Sequence, residues 1–322
     1  MGSRIEEKAA IQDQNFFGKA VATRDVYGEA LVELGKRNDR VVVLDSDLSG
    51  STKTAKFAKS FPDRFFNMGI SEQDMMGTAG GLSLTGKIPF ASTFAIFASG
   101  RAWEQVRQTI GYSHLNVKIV ATHGGITVGE DGASHQALED IALMRVIPGM
   151  TVIVPSDGYE TKQVIDAIAE YVGPVYVRLG RPKVPPVMPE DYRFQIGKAF
   201  VFHIGEVNII ANGIMVDAAL KAKNILLEKG IDVGVINMPT VKPIDEEVLI
   251  KVAQKSRLII TAEEHSIIGG LGSAASEFLS ENHPVPVKRI GTRDTFGCSG
   301  KPEELLKMFG LSPEDIVRAV IG

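Results

Sequence analysis

Residues 65–77 read Phe65-Phe66-Asn67-Met68-Gly69-Ile70-Ser71-Glu72-Gln73-Asp74-Met75-Met76-Gly77. The stretch opens as a short apolar run and passes at Gly69 into a helix-like segment reaching Leu84, the pattern of a strand feeding a helix. Ser71 and Asp74 stand in capping-box spacing, which predicts the helix start. Glu72 thereby falls at a strand-to-helix turn. In open α/β sheets such turns form the rim where ligands bind, so Glu72 is the first candidate functional residue.

The same alternation runs outward in both directions. Short β-branched runs at 40–44, 65–68, 117–122, 151–154 and 175–179 are separated by amphipathic segments, which predicts a parallel sheet covered by helices. Helices are expected at 25–36, with Thr23 as cap, at 71–84 and at 101–112. Residues 181–197 are rich in proline and read as a linker unable to sustain helix or sheet ladders. Beyond it the alternation resumes, with strands at 207–211, 232–237, 257–262 and 285–290. Gly77, Gly80, Gly81 and Gly86 crowd one helical segment, where each interior glycine costs about 0.5–1 kcal/mol. They point either to close approach of another backbone or ligand, or to tight helix packing at a subunit interface.

The chain has 322 residues and a net charge of −4. That length suits two domains, and the charge lacks the basic footprint of a nucleic-acid binder. One cysteine, Cys298, excludes an internal disulfide and a cysteine-based zinc site, and the six histidines show no metal-ligand spacing. No apolar run reaches the roughly 20 residues needed to span a bilayer. Residues 1–8 lack the apolar centre of a signal peptide, so a cytoplasmic protein is expected.

Residues 122–136 place His123, Glu130, Asp131 and His135 among Gly124, Gly125, Gly129 and Gly132, directly after an apolar run. Loops after strand ends carry function on such scaffolds, and histidine titrates near neutrality, as proton transfer to sugar hydroxyls requires. A second glycine cluster, Gly269-Gly270-Leu271-Gly272, follows the 257–262 strand; such a turn can cradle phosphate, though it lacks dinucleotide spacing.

Ala121-Thr122-His123 followed by Val128-Gly129-Glu130-Asp131-Gly132-Ala133-Ser134-His135-Gln136 resembles the pyrimidine-binding domain of transketolases. Gly69–Gln73 resembles that family's catalytic glutamate segment, Thr93–Phe97 its aromatic segment, and Leu44–Leu48 and Ala22–Arg24 its N-terminal pattern. The likeness runs from about residue 20 to the C-terminus. It implies two α/β domains, each a mostly parallel sheet flanked by helices: a pyrimidine-binding domain over 1–190 and a C-terminal-like domain over 191–322. It also implies thiamine diphosphate, which supplies the nucleophilic carbon. Glu72 would hydrogen-bond the aminopyrimidine ring; Phe94 and Phe97 would stack on it; His135 and Asp47 would lie against the cofactor. Arg24, Ser51 and Arg181 would grip the phosphate of the sugar, with Arg178 a competitor for the place of Arg181. Asp131 would read a substrate hydroxyl, and His123 and His135 would contact donor and acceptor oxygens and relay protons. Glu72, His123 and His135 would be catalytic. The family often adds a third aromatic three residues after Phe97; Gly100 stands there.

The family's Gly-Asp-Gly motif for Mg²⁺ and the diphosphate is missing from this sequence. The resemblance covers the second half of a full-length transketolase. It therefore implies a split enzyme whose partner, an N-terminal transketolase subunit, holds Mg²⁺ and the cofactor phosphates, in an α2β2 heterotetramer with self-association of this chain. The implied reaction is transfer of a two-carbon ketol unit from a ketose phosphate to an aldose phosphate in the pentose phosphate pathway. Deoxyxylulose-phosphate synthases share a similar glutamate and loop but usually lack the counterpart of His123. The β subunits of 2-oxoacid dehydrogenases share the half length but lack the paired histidines. A noncatalytic assembly subunit is the alternative of another class, against which the intact Glu72, His123, Asp131 and His135 argue.

Overall fold

The structure, a computed structural model, describes residues 17–322; the reading of residues 1–8 falls outside them. Strand β1 (Val21–Ala22) leads into helix α1 (Thr23–Arg37) and β2 (Val41–Asp45). Then follow β3 (Phe65–Asn67), α2 (Glu72–Leu84), β4 (Ile88–Ser92), β5 (Lys118–Ala121), β6 (Thr151–Ile153), α3 (Gly158–Glu170), β7 (Val175–Arg178) and β8 (Lys183–Val184). The second half runs β9 (Phe200–His203), β10 (Val207–Ala211), α4 (Met215–Glu228), β11 (Gly234–Asn237), β12 (Thr240–Lys242), β13 (Leu258–Ser266), α5 (Leu271–Asn282), β14 (Val287–Thr292), α6 (Pro302–Met308) and α7 (Pro313–Ile321).

Two sheets result. The first has the order β12-β6-β7-β5-β4-β2-β3 and the second β14-β13-β10-β11-β9. Pairing is parallel within both, except that β12 and β9 are antiparallel edge strands. Every residue of β2, β4, β5, β7 and β10 is buried, as a sheet covered by helices on both faces demands. This is the two-domain α/β architecture expected. Strand β12 belongs to the second half of the chain yet extends the first sheet, so the two domains share a sheet edge.

Three local expectations fail. Ser71 immediately precedes α2, but its side chain makes no capping bond. Thr23 does not cap α1 either: Ala22 holds the cap position, and the Thr23 hydroxyl accepts a hydrogen bond from the Gly180 amide at 3.0 Å. The proline-rich stretch does form a ladder, because β8 pairs with β1. The Asp157 carboxylate accepts bonds from the Val187 and Met188 amides at 2.8 and 2.9 Å, and Met188, Tyr192 and Phe194 are buried in the first core. The linker is a packed strap.

Candidate functional site

The carboxyl ends of β2, β4, β5 and β7 bring most of the predicted residues together. Glu72 opens α2 with its side chain 1% exposed, and its Oε2 accepts a hydrogen bond from Arg101 Nη1 at 2.8 Å. The Arg101 guanidinium lies 4.5 Å from the centre of the Phe97 ring. Phe97 and Phe94 lie parallel, 5.9 Å apart at 8°. Phe94 stacks on the His123 imidazole at 3.8 Å and 22°. His123 Nε2 meets Arg24 Nη1 at 3.0 Å, and that nitrogen also donates to the Ser51 carbonyl at 3.1 Å. His135 sets its edge against both phenylalanines, 5.5 Å from Phe97 and 6.2 Å from Phe94. One unbroken row of contacts thus joins a buried carboxylate to a guanidinium.

The hydrogen bonds fix the His123 tautomer. A guanidinium has no acceptor, so Nε2 accepts from Arg24, and Nδ1 carries the proton toward the Thr122 hydroxyl at 2.8 Å. Burial first, then the charges of Arg24 and Arg181, lower the His123 pKa to about 3. At neutral pH His123 is an uncharged acceptor, unable to serve as an acid. Arg24 is itself lowered by burial, and its Nε is buried with no partner. An unfilled donor beside a second cation suits an anionic ligand.

Backbone strain marks the same rim. His123 and Asp47 have φ of +58° and +60°, a region costing about 1–3 kcal/mol for a non-glycine residue. Asp47 is nevertheless not in the row: its carboxylate accepts from Asn67 Nδ2 at 3.0 Å, and its amide donates back to Asn67 Oδ1 at 3.1 Å. Asp131 lies 3.6 Å from Arg181, which also donates to the Val128 carbonyl and to Glu130. Arg181 is a third exposed and flanks the row. Arg178 is excluded as its substitute. It is buried, pairs with Asp140 at 2.9 Å and donates to the carbonyls of Ala137 and Glu264. Burial opposes its charge, but Asp140 and Glu264 outweigh that and raise its pKa.

The second half of the chain holds the histidine loop in place. Glu264, at the end of β13, accepts from the Thr127 amide at 2.7 Å. Gly125 has φ of +88°, and a Cβ there would meet the Glu264 carboxyl at 2.2 Å. At Gly132, with φ of +77°, it would meet Ser299 Oγ at 2.5 Å. Gln136 Nε2 donates to the carbonyls of Ile126 and Cys298 at 3.0 and 2.9 Å. The turn Gly269–Gly272 cradles no free ligand: Glu263 accepts from the Leu271 and Gly272 amides at 2.7 and 2.8 Å, taking the place a phosphate would need. Among the described residues, no three His, Cys, Asp or Glu side chains converge as a metal site, and no helix is long and apolar enough to cross a membrane.

Residues 19–186 match the family model described as "Transketolase, pyrimidine binding domain", and residues 204–316 match "Transketolase, C-terminal domain". The chain belongs to the transketolase family. It is 55% identical over 302 residues to a protein from Methanocaldococcus jannaschii described as a transketolase C-terminal section; the alignment covers 92% of this chain and 95% of that one. It is 43% identical to a 6-deoxy-6-sulfo-D-fructose transketolase subunit from Clostridium sp., covering 92% of each. Among solved structures, one described as a split gene transketolase, inactive beta4 tetramer, superposes with a TM-score of 0.87 at 54% identity, covering 93% of this chain and 97% of that chain. Human transketolase, 36% identical, is matched over 49% of its length. The chain therefore corresponds to the C-terminal section of a transketolase, and its pyrimidine-binding domain implies thiamine diphosphate.

That cofactor fits the residues present. Glu72 is a buried carboxylate whose Oε1 takes no hydrogen bond among the described residues, and Phe94, Phe97 and His135 supply ring surface beside it. Arg101 escaped the sequence reading, although it sits four residues after Phe97 and so on the same helical face.

Proposed function

We propose that this chain is the C-terminal subunit of a split transketolase. Together with an N-terminal subunit that holds the cofactor diphosphate and Mg²⁺, it moves a two-carbon ketol unit between an anionic ketose and an anionic aldose. The observation behind this reading is the contact row from Glu72 to Arg24, which sets a cofactor-facing acid at one end and an anion-binding cluster at the other. When bound, thiamine diphosphate supplies the nucleophilic carbon of the reaction.

Each side chain has a task that its surroundings support. Glu72 turns its free Oε1 toward the aminopyrimidine ring. Phe94 and Phe97 give that ring apolar, π-complementary contact. His135, edge-on to both rings and hydrogen-bonded to Ser134 at 2.9 Å, is placed to pass a proton between cofactor and sugar. His123, neutral, aligns Arg24 through the hydrogen bond that its Nε2 accepts. Arg24 and Arg181 receive the anionic end of the substrate through charge-assisted bonds, and Asp131 accepts from a sugar hydroxyl. Asp47 stays in the cofactor-facing set through its strained backbone, which its bonds to Asn67 maintain.

Relatives favour the same substrate class. One is named for 6-deoxy-6-sulfo-D-fructose and another, 40% identical, for apulose-4-phosphate; both sugars end in an anion. The related beta4 tetramer is described as inactive, which supports the view that this subunit works only with its partner. The assembly proposed is α2β2. In α2, Gly80 packs against Thr109, whereas Gly77 and Gly81 face open space, a surface on which another backbone can approach closely.

The test is reconstitution with a chain carrying the Gly-Asp-Gly motif. Ketol transfer from xylulose 5-phosphate to ribose 5-phosphate is expected from the mixture and from neither chain alone. Full activity of this chain alone with Mg²⁺ and cofactor refutes the split site; an inactive mixture with those sugars that works on a sulfosugar keeps the mechanism and changes the substrate.

A further inference from the structure

We infer that Arg101 is a positioning residue for the cofactor-facing acid, and that its guanidinium supplies the surface where Gly100 leaves a gap in the aromatic row. The inference rests on the function proposed above.

Three observations converge on it. Arg101 Nη1 donates to Glu72 Oε2 at 2.8 Å, although the glutamate is 1% exposed and the arginine 46%. A buried carboxylate with one strong donor is held in one rotamer, and its other oxygen is left free to face a ligand. The guanidinium also lies 4.5 Å from the Phe97 ring centre, within cation–π range. Finally, the helix widens here: the Ala102 amide bonds back to the Phe97 carbonyl, five residues earlier, at 3.2 Å. Such wide turns recur at functional sites. This one sets the Arg101 guanidinium over the Phe97 ring.

A salt bridge made only for stability has no need of the ring contact, and an exposed arginine made only for solubility has no need of a buried acid. Arg101 does both at one point. It therefore orients Glu72 through the charged hydrogen bond and continues the row over the Phe97 ring. It contacts no reacting atom in this arrangement.

The test uses the complex reconstituted with the partner subunit. For Arg101→Met, the dissociation constant of thiamine diphosphate, followed by quenching of protein fluorescence, is expected to rise about tenfold or more, the loss typical of a hydrogen bond to a charged group. The near-ultraviolet circular dichroism of the bound aminopyrimidine is expected to weaken, and kcat to fall while KM for the sugars holds. Arg101→Lys is expected to restore affinity only in part, because it returns the charge without the plane. In a cycle with Glu72→Gln, the two substitutions are expected to be non-additive in cofactor affinity. Wild-type affinity and dichroism in Arg101→Met, or strict additivity with Glu72→Gln, overturns the inference. If Arg101→Met unfolds, Arg101→Lys and Arg101→Gln carry the same comparison, and wild-type affinity in both has the same force. Failure of the wild-type complex to bind cofactor at all would instead sink the functional proposal beneath it.

Discussion

The two sheets end in rims of similar composition and opposite character. At the first, Glu72, His123, His135 and Asp131 surround a cluster with strained backbone, a buried Arg24 Nε without a partner and a glutamate oxygen left free. At the second, β13 ends in Glu263-Glu264-His265, just as rich in acid and imidazole. There all three side chains are engaged within the chain. Glu263 caps the start of α5, Glu264 pins the Thr127 amide, and His265 meets the Ser266 carbonyl at 2.7 Å. Burial raises the pKa of both carboxyls, which marks desolvation and not chemistry. Residue type alone does not separate a site from a scaffold.

That contrast can be broken in order of expected effect. Glu72→Ala is expected to reduce turnover of the assembled enzyme by about 10³-fold, the scale of a lost acid–base group, with the chain's unfolding midpoint unchanged. Retained turnover would remove Glu72 from the chemistry. Glu263→Ala is expected to do the reverse. It strips two backbone amides of a charged acceptor and costs about 3 kcal/mol in denaturant unfolding, with normal activity per folded molecule. A large kinetic defect in a stably folded Glu263→Ala protein would erase the distinction between the rims.

Arg24→Ala sharpens the first rim. KM for a phosphorylated sugar is expected to rise about 30-fold, close to 2 kcal/mol, and KM for the unphosphorylated sugar to stay level. Equal loss for both sugars would move Arg24 from anion binding to scaffold. The smallest expected effect is none at all. His123 ring resonances in NMR are expected to stay flat from pH 8 to pH 5, because the folded-state pKa is about 3. The unfolded chain titrates near 6.5, so protonation favours unfolding as pH falls from there toward 3, and stability drops in that window. A midpoint near 6.5 in the folded protein would overturn the neutral acceptor.

Much of this was legible in the sequence wherever periodicity and chemistry coincided. The strand-turn-helix at Glu72, the glycine-histidine loop and the two α/β halves all appear where expected. Strand β4 was missed because Pro89 reads as a breaker. The fold tolerates it because β4 pairs with β5 only from Phe90 onward, so Pro89 has β2 alone as a neighbour. The last third of β13 was missed because Glu-Glu-His reads as surface, whereas backbone groups of Thr127, Leu271, Gly272 and Ser266 engage those side chains. Arg101 was missed because a charge on a helix usually marks a solvated face. Arg178 against Arg181 was undecidable until Asp140, 38 residues away, showed which of them was already engaged.

Strand β12 has a mechanical consequence. Its pairing with β6 ties the second half of the chain to the edge of the first sheet, and Lys242 Nζ donates to the carbonyls of Arg145 and Ile147 at 2.7 and 2.6 Å. Hinge bending at residues 181–197 would have to tear a ladder and unpack the strap. Bending between the two domains is therefore resisted, and in the proposed assembly the opening that admits a sugar is expected at the seam between this chain and its partner. A truncation that keeps only residues 17–197 would leave β6 as a raw edge, and is expected to aggregate where the longer chain does not.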